Sequence, residues 1–136
     1  MRKPTILCVD DEVNGLVGRE ALLRLQGYDV VVTTSGRRSL DLLEEVDVDA
    51  VILDYRMPEM MGDAVAERMK QLKPEVPIMM LSAQERVPPT ALRSTDTVLS
   101  KSAPPDQFVD AVHELVANRS PFFHRWLQNW KRRLSA

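Results

Sequence analysis

The stretch ILCVDDE, residues 6–12, sets an apolar run directly against three acids. Thr5–Val9 reads as a strand buried on both faces, because nothing in it alternates with polar residues. Asp10, Asp11 and Glu12 then close it. Adjacent carboxylates repel one another, and a poorly hydrated carboxylate is costly unless a positive group sits close by. The stretch therefore asks for a cation, and the rest of the chain has to supply it.

Working outward, strand-like and helix-like segments alternate. Val13–Gln26 has helical spacing with an expected inward stripe of Val13, Leu16, Val17, Ala21 and Leu25, and Gly27 stops it. Tyr28–Thr33 is β-branched and reads as a strand. Ser35 is placed to cap a helix running through Val46, with Leu40, Leu43 and Val46 inward. Ala50–Leu53 is a third strand. Asp63–Leu72 is a helix with Val65, Met69 and Leu72 on one face. Pro77–Leu81 and the short Thr97–Leu99 are further strands. Asp106–Ala117 is a helix with Phe108, Val112, Leu115 and Val116 inward. Between Ser82 and Thr97 periodicity fades, and any helix there is a turn or two starting near Pro88 or Pro89. Apolar strands alternating with helices predict an α/β fold, a parallel sheet covered on both faces. Ligands of such sheets bind beyond the C-terminal ends of the strands.

Five side chains converge on that edge: Asp10 and Asp11 after the first strand, Asp54 after the third, Ser82 after the fourth and Lys101 after the fifth. Asp10 or Asp11 alone is best read as a cap on the following helix. Together, carboxylates on different segments suit a hard divalent cation, Mg2+ above all. No Cys/His cluster offers a zinc set. Carboxylates, a cation, a lysine and a hydroxyl suit phosphoryl transfer, in which one carboxylate can itself act as nucleophile.

From about Lys3 to Ala117 the chain resembles the receiver domain of two-component response regulators. The resemblance rests on VDDE (9–12), LDYRMPEMMG (53–62), LSA (81–83) and Lys101. It implies a flavodoxin-like five-stranded parallel sheet of order 2-1-3-4-5 with helices on both faces. It also implies that Asp54 accepts the phosphoryl group. Asp11, Asp54 and the backbone carbonyl of Arg56 would hold Mg2+, with Asp10 acting through water. Lys101 and Ser82, with the Ala83 N–H, would contact the phosphoryl oxygens. The implied donor is a sensor histidine kinase or phosphotransfer protein. The readout would be a downstream protein partner or a homodimer, with slow self-hydrolysis resetting the switch. Four features depart from the family pattern. Ser102 stands where a proline usually follows the lysine, Val98 where a switch aromatic is usual, the segment between Ser82 and Lys101 is short, and Arg56 and Gln84 occupy the positions that tune hydrolysis. Two alternatives are a degenerate receiver acting as a constitutive scaffold, and a HAD-type phosphatase. The latter needs an acid two residues after its nucleophile, where Arg56 stands.

Composition narrows the class further. The chain holds 136 residues, enough for one compact domain. Its single cysteine, Cys8, permits no internal disulfide, and no export signal opens the sequence, so a cytoplasmic location is expected. Net charge is -2, but residues 119–136 hold five bases and no acid, which leaves 13 basic against 20 acidic residues in 1–118. An acidic body argues against nucleic acid as a direct ligand. The division expected is a receiver domain at 1–118 and a basic, aromatic amphipathic helix at 119–136. In that segment Phe122, Phe123, Trp126, Leu127, Trp130 and Leu134 fall within an arc of roughly 140°. A covering role, a partner or self-association role, and a membrane-surface role for residues 120–134 are its three readings.

Overall fold

The computed structural model describes residues 3–83 and 87–118. The expected C-terminal helix and Gln84 lie outside them. Five parallel strands form one sheet of order β2-β1-β3-β4-β5, with β1 Thr5–Val9, β2 Asp29–Thr33, β3 Ala50–Asp54, β4 Ile78–Ser82 and β5 Thr97–Ser100. The helices are α1 Val13–Leu25, α2 Gly36–Glu45, α3 Gly62–Leu72 and α4 Pro105–Ala117. A single 3-10 turn at Pro89–Leu92 stands where another helix would cross, so the fourth crossover is stunted, as its two prolines and weak periodicity imply.

The central strands β1, β3 and β4 are buried at every residue, which is why they lack alternation. One core lies under α1 and α4, where Leu16, Leu23, Phe108 and Val112 pack on Ile6, Cys8, Ile52 and Met79. The other lies under α2 and α3, where Leu43, Val65 and Met69 pack on Leu7, Val51, Leu53 and Met80. Ser35 caps α2 as expected, its Oγ accepting from the Arg38 N–H at 3.0 Å. Gly27 ends α1 at φ 93°, a left-handed conformation that suits glycine.

The α1 stripe needs correction. Val13, Val17, Ala21 and Leu25 are exposed, and only Leu16 of the predicted set is buried. The inward line is instead Leu16, Arg19 and Leu23. Two apolar stripes run along this helix, and counting apolar residues selected the wrong one. Leu72 likewise lies at the exposed end of α3.

Acids also serve the opposite edge of the sheet. Asp49 is buried and accepts the Thr5 N–H at 2.7 Å, while its own N–H donates to the Thr5 carbonyl at 2.8 Å. Asp96 accepts the Ile78 N–H at 2.7 Å and pairs with Lys70 at 2.8 Å. These carboxylates tie strand starts together.

Candidate functional site

The chain passes from β1 to β2 on one side and to β3 on the other, so a crevice opens beyond the ends of β1 and β3. Asp10, Asp11 and Asp54 meet there, each offering a carboxylate oxygen within 4.8 Å of the others. Asp10 and Asp54 are only 2% and 3% exposed, whereas Asp11 is exposed. Asp10 does not cap α1, whose N-cap Glu12 makes no side-chain cap bond; its Oδ1 accepts the Glu12 N–H at 2.9 Å in the turn just before the helix.

The cation demanded by residues 6–12 is present twice. Lys101 Nζ lies 3.0 Å from Asp54 Oδ2 and 3.1 Å from Asp10 Oδ2. Arg19, reaching back from α1, donates to the same Asp10 oxygen. Sequence reasoning missed Arg19. The signal was available: it stands three residues after Leu16 and four before Leu23, a base on the buried line of a helix. An inward-facing guanidinium implies a buried acid nearby.

The two buried acids are pushed apart. Burial raises the Asp54 carboxyl to about 6, aided by Asp10 and opposed by Lys101. Burial also acts on Asp10, but the Glu12 N–H, Lys101 and Arg19 outweigh it and hold that carboxyl below its ordinary value. Lys101 shows the same contest, its pairs with Asp54 and Asp10 outweighing burial and raising it. Asp10 is therefore the fixed anion, and Asp54 is the carboxyl whose charge is least compensated.

The remaining predicted residues sit around this pair. Ser82 is buried at the end of β4, and the Lys101 N–H donates to its carbonyl at 2.9 Å, extending the β4–β5 ladder to the site. Ala83 follows, exposed. Arg56 is exposed in the loop after β3. That loop is pinned by Gly62, whose N–H donates to the Tyr55 carbonyl at 2.7 Å; a Cβ at Gly62 would lie 2.4 Å from the Asp54 carbonyl oxygen. At Ser102, where the family pattern has a proline, the N–H donates to Ser100 Oγ at 3.1 Å and the two hydroxyls meet at 2.8 Å. Val98 is half-exposed on β5 opposite Met80.

An all-oxygen cluster beside two fixed cations, on the edge of a five-stranded parallel sheet, defines the class of protein. The chain matches the response regulator receiver domain over residues 6–113, and it belongs to that family. Among its relatives is the transcriptional regulatory protein ZraR of Escherichia coli K12, 39% identical over 82 residues, 60% of this chain and 19% of that protein. Response regulator SaeR of Staphylococcus aureus USA300 is 29% identical over 88% of this chain and 54% of its own length. The chain thus spans from about a fifth to about half the length of these curated relatives. Among solved structures, a CheY-like receiver domain from Methanospirillum hungatei superposes with a TM-score of 0.83 at 21% identity, covering 87% of this chain and 97% of that one. TrrA of Thermotoga maritima, solved in complex with Mg2+-BeF, gives a TM-score of 0.78 at 28% identity, covering 82% and 98%. The chain is a receiver domain of two-component response regulators, a class that signals by phosphorylation.

Proposed function

We propose that Asp54 is the phospho-acceptor of this receiver and that its modification requires Mg2+. One observation carries the reading: a buried carboxylate with poorly compensated charge lies 3.0 Å from Lys101 Nζ, with two further carboxylates within 4.8 Å. The donor set fits the ion, being hard oxygen throughout. Asp11, Asp54 and the Arg56 backbone carbonyl would hold it, and Asp10 would act through water. When bound, Mg2+ neutralises charge on the phosphoryl oxygens. The likeness to TrrA, itself solved with Mg2+-BeF, supports this assignment.

The chain's own groups divide the rest of the work. An Asp54 carboxylate oxygen attacks phosphorus as the bond to the donor's leaving group breaks. With a phosphohistidine donor, the imidazole leaves as the phosphoryl group arrives. Lys101 then turns from Asp54 to a phosphoryl oxygen, and the Ser82 hydroxyl with the Ala83 N–H binds another. Asp10, anchored by Glu12 and Arg19, keeps Lys101 at the edge during the exchange. The phosphate source is a sensor histidine kinase or phosphotransfer protein, and the readout is contact with a downstream protein partner. Water resets the switch by attacking the acyl phosphate. The degenerate-scaffold alternative loses ground because no acceptor or metal-site acid is missing.

Intact mass after incubation with acetyl phosphate, with and without Mg2+, tests the reading. The expected result is a Mg2+-dependent gain of one phosphoryl group that Asp54→Asn abolishes. Labelling retained in Asp54→Asn would reassign the acceptor, and no gain in any condition would bring the scaffold reading forward.

A further inference from the structure

The outer surface of the α1–α4 layer carries two features beside the carboxylate cluster. The first is an apolar stripe on α1 that no described residue covers: Val13 and Val17 are 57% exposed, Leu25 is 82% exposed, and exposed Ala21 completes the i, i+4 series. The second is a cavity of about 310 Å³ between α1 and the start of α4, lined by Gly18, Leu22, Pro105 and Phe108 and also by Arg19 and Lys101 of the site. On the α1 side it is open at Gly18, whereas Gly15 is already covered by the Arg19 guanidinium. A Cβ at Gly18 would meet nothing within 4 Å. A dry cavity of about 150 Å³ already accepts a benzene ring, so this space suits an aromatic side chain.

The chain itself provides the matching piece. Asn118, at the end of α4, lies beside Pro77 and Asp96 at the starts of β4 and β5, the edge opposite the carboxylate site. Eighteen residues follow, 119–136. The stripe from Val13 to Leu25 and the apolar set from Phe122 to Leu134 each span about 18 Å at helical rise. In a helix, Trp130 would come the same distance, about 18 Å, beyond Asn118. A return path along α4 therefore brings it level with Pro105 and the cavity. On that path Lys131, Arg132 and Arg133 would arrive at the site edge, where Asp11 and Glu12 are exposed. Length, apolar pattern and charge agree on one path.

We propose that residues 120–134 fold back over α1 and α4 as an amphipathic helix antiparallel to both, seating the Trp130 indole in the cavity beside Gly18. The occupant is this chain's own tail. The α1 stripe becomes core, and the basic end of the tail caps the acidic rim of the site. This arrangement does not depend on which carboxylate accepts a phosphoryl group.

Intrinsic fluorescence of the full chain tests it directly, because both tryptophans, Trp126 and Trp130, lie in the tail. The isolated peptide 119–136 gives the solvent-exposed reference. The full chain should emit to the blue of that peptide and resist acrylamide quenching. Trp130→Phe should remove most of the blue-shifted emission, and Trp126→Phe should retain it. Val17→Asp with Leu25→Asp, at positions already exposed, should move emission to the peptide's value with unchanged far-UV circular dichroism. Gly18→Phe, which puts a ring from α1 into the cavity, should do the same. Four results would overturn the proposal: peptide-like emission in the full chain, no shift in the α1 variants, a shift produced by Leu92→Asp with Val98→Asp instead, or blue emission that disappears on dilution or arises only with anionic vesicles. The dilution result would assign the tail to a second copy, and the vesicle result to a membrane surface.

Discussion

On the α2–α3 face, Gly36 sits so tightly that a Cβ would lie 2.9 Å from Val65 Cγ2, and Leu43, Val65 and Met69 are sealed beneath. On the α1–α4 face, Gly18 has open space where a Cβ would be, and Val13, Val17 and Leu25 are exposed. Both faces cover the same fully buried strands. The difference shows that a glycine in a helix has two uses. At Gly36 it lets two helices approach, and at Gly18 it leaves room for something to enter. Composition cannot separate the two, because only the neighbour across the layer decides.

The sharpest way to break this comparison is to open the sealed face. Leu43→Ala removes a fully buried side chain from the middle of the α2–α3 core. The expected loss is about 3–4 kcal/mol in urea denaturation, from transfer plus a cavity that packed neighbours cannot fill. A loss near 1 kcal/mol would mean that this face relaxes easily and is not the rigid one.

The glycines give the direct contrast. Gly36→Ala should cost about 1–2 kcal/mol, because the methyl must displace Val65 and the Met57 terminus. Gly18→Ala should gain about 0.5–1 kcal/mol, since it raises helix propensity in an open position and uses little of the cavity. Thermal or urea midpoints moving in the same direction for both would erase the distinction.

Much of this architecture was legible in the sequence. The order of strands and helices followed from apolar runs separated by helical spacing, and Ser35 and Gly27 announced the ends of two helices because caps are local chemistry. The five site residues were legible because each closes a strand, and a parallel sheet gathers such positions on one edge. Three things were not. The buried line of α1 was misread because Val13, Val17, Ala21 and Leu25 outnumber Leu16 and Leu23, and apolar spacing alone cannot tell a core stripe from a docking stripe. Arg19 was missed for the same reason: once the wrong face was turned inward, its guanidinium pointed to solvent. The serine pair at 100 and 102 was illegible for another cause. Its hydrogen bonds form only when the folded loop brings the two side chains together.

The site edge, shared by both faces, offers the smallest effect and the one whose sign matters most. The Asp54 carboxyl is raised to about 6 from 3.8, chiefly by burial. Folding therefore favours its protonated form, so its ionisation opposes folding. That penalty is absent below the unfolded value, grows between about pH 4 and pH 6, and is complete above it. Asp10 behaves oppositely: held below its ordinary value once Glu12, Lys101 and Arg19 outweigh burial, it contributes stability at neutral pH that fades in acid. Asp54→Asn removes the first penalty and leaves Asp10 to Lys101 and Arg19. In chelator at about pH 7.5 the variant should be more stable by on the order of 1 kcal/mol, after allowance for the lost Lys101 pair and for solvent screening. That is a rise of roughly 2–6 °C in Tm. At about pH 3 the two proteins should melt together, because Asp54 is then neutral in both the folded and, largely, the unfolded chain. A variant less stable than the parent at neutral pH would show that the Lys101–Asp54 pair outweighs the burial of its charge. Asp54 would then belong with Asp49 and Asp96, acids that hold strands together, instead of being a carboxylate held ready to react.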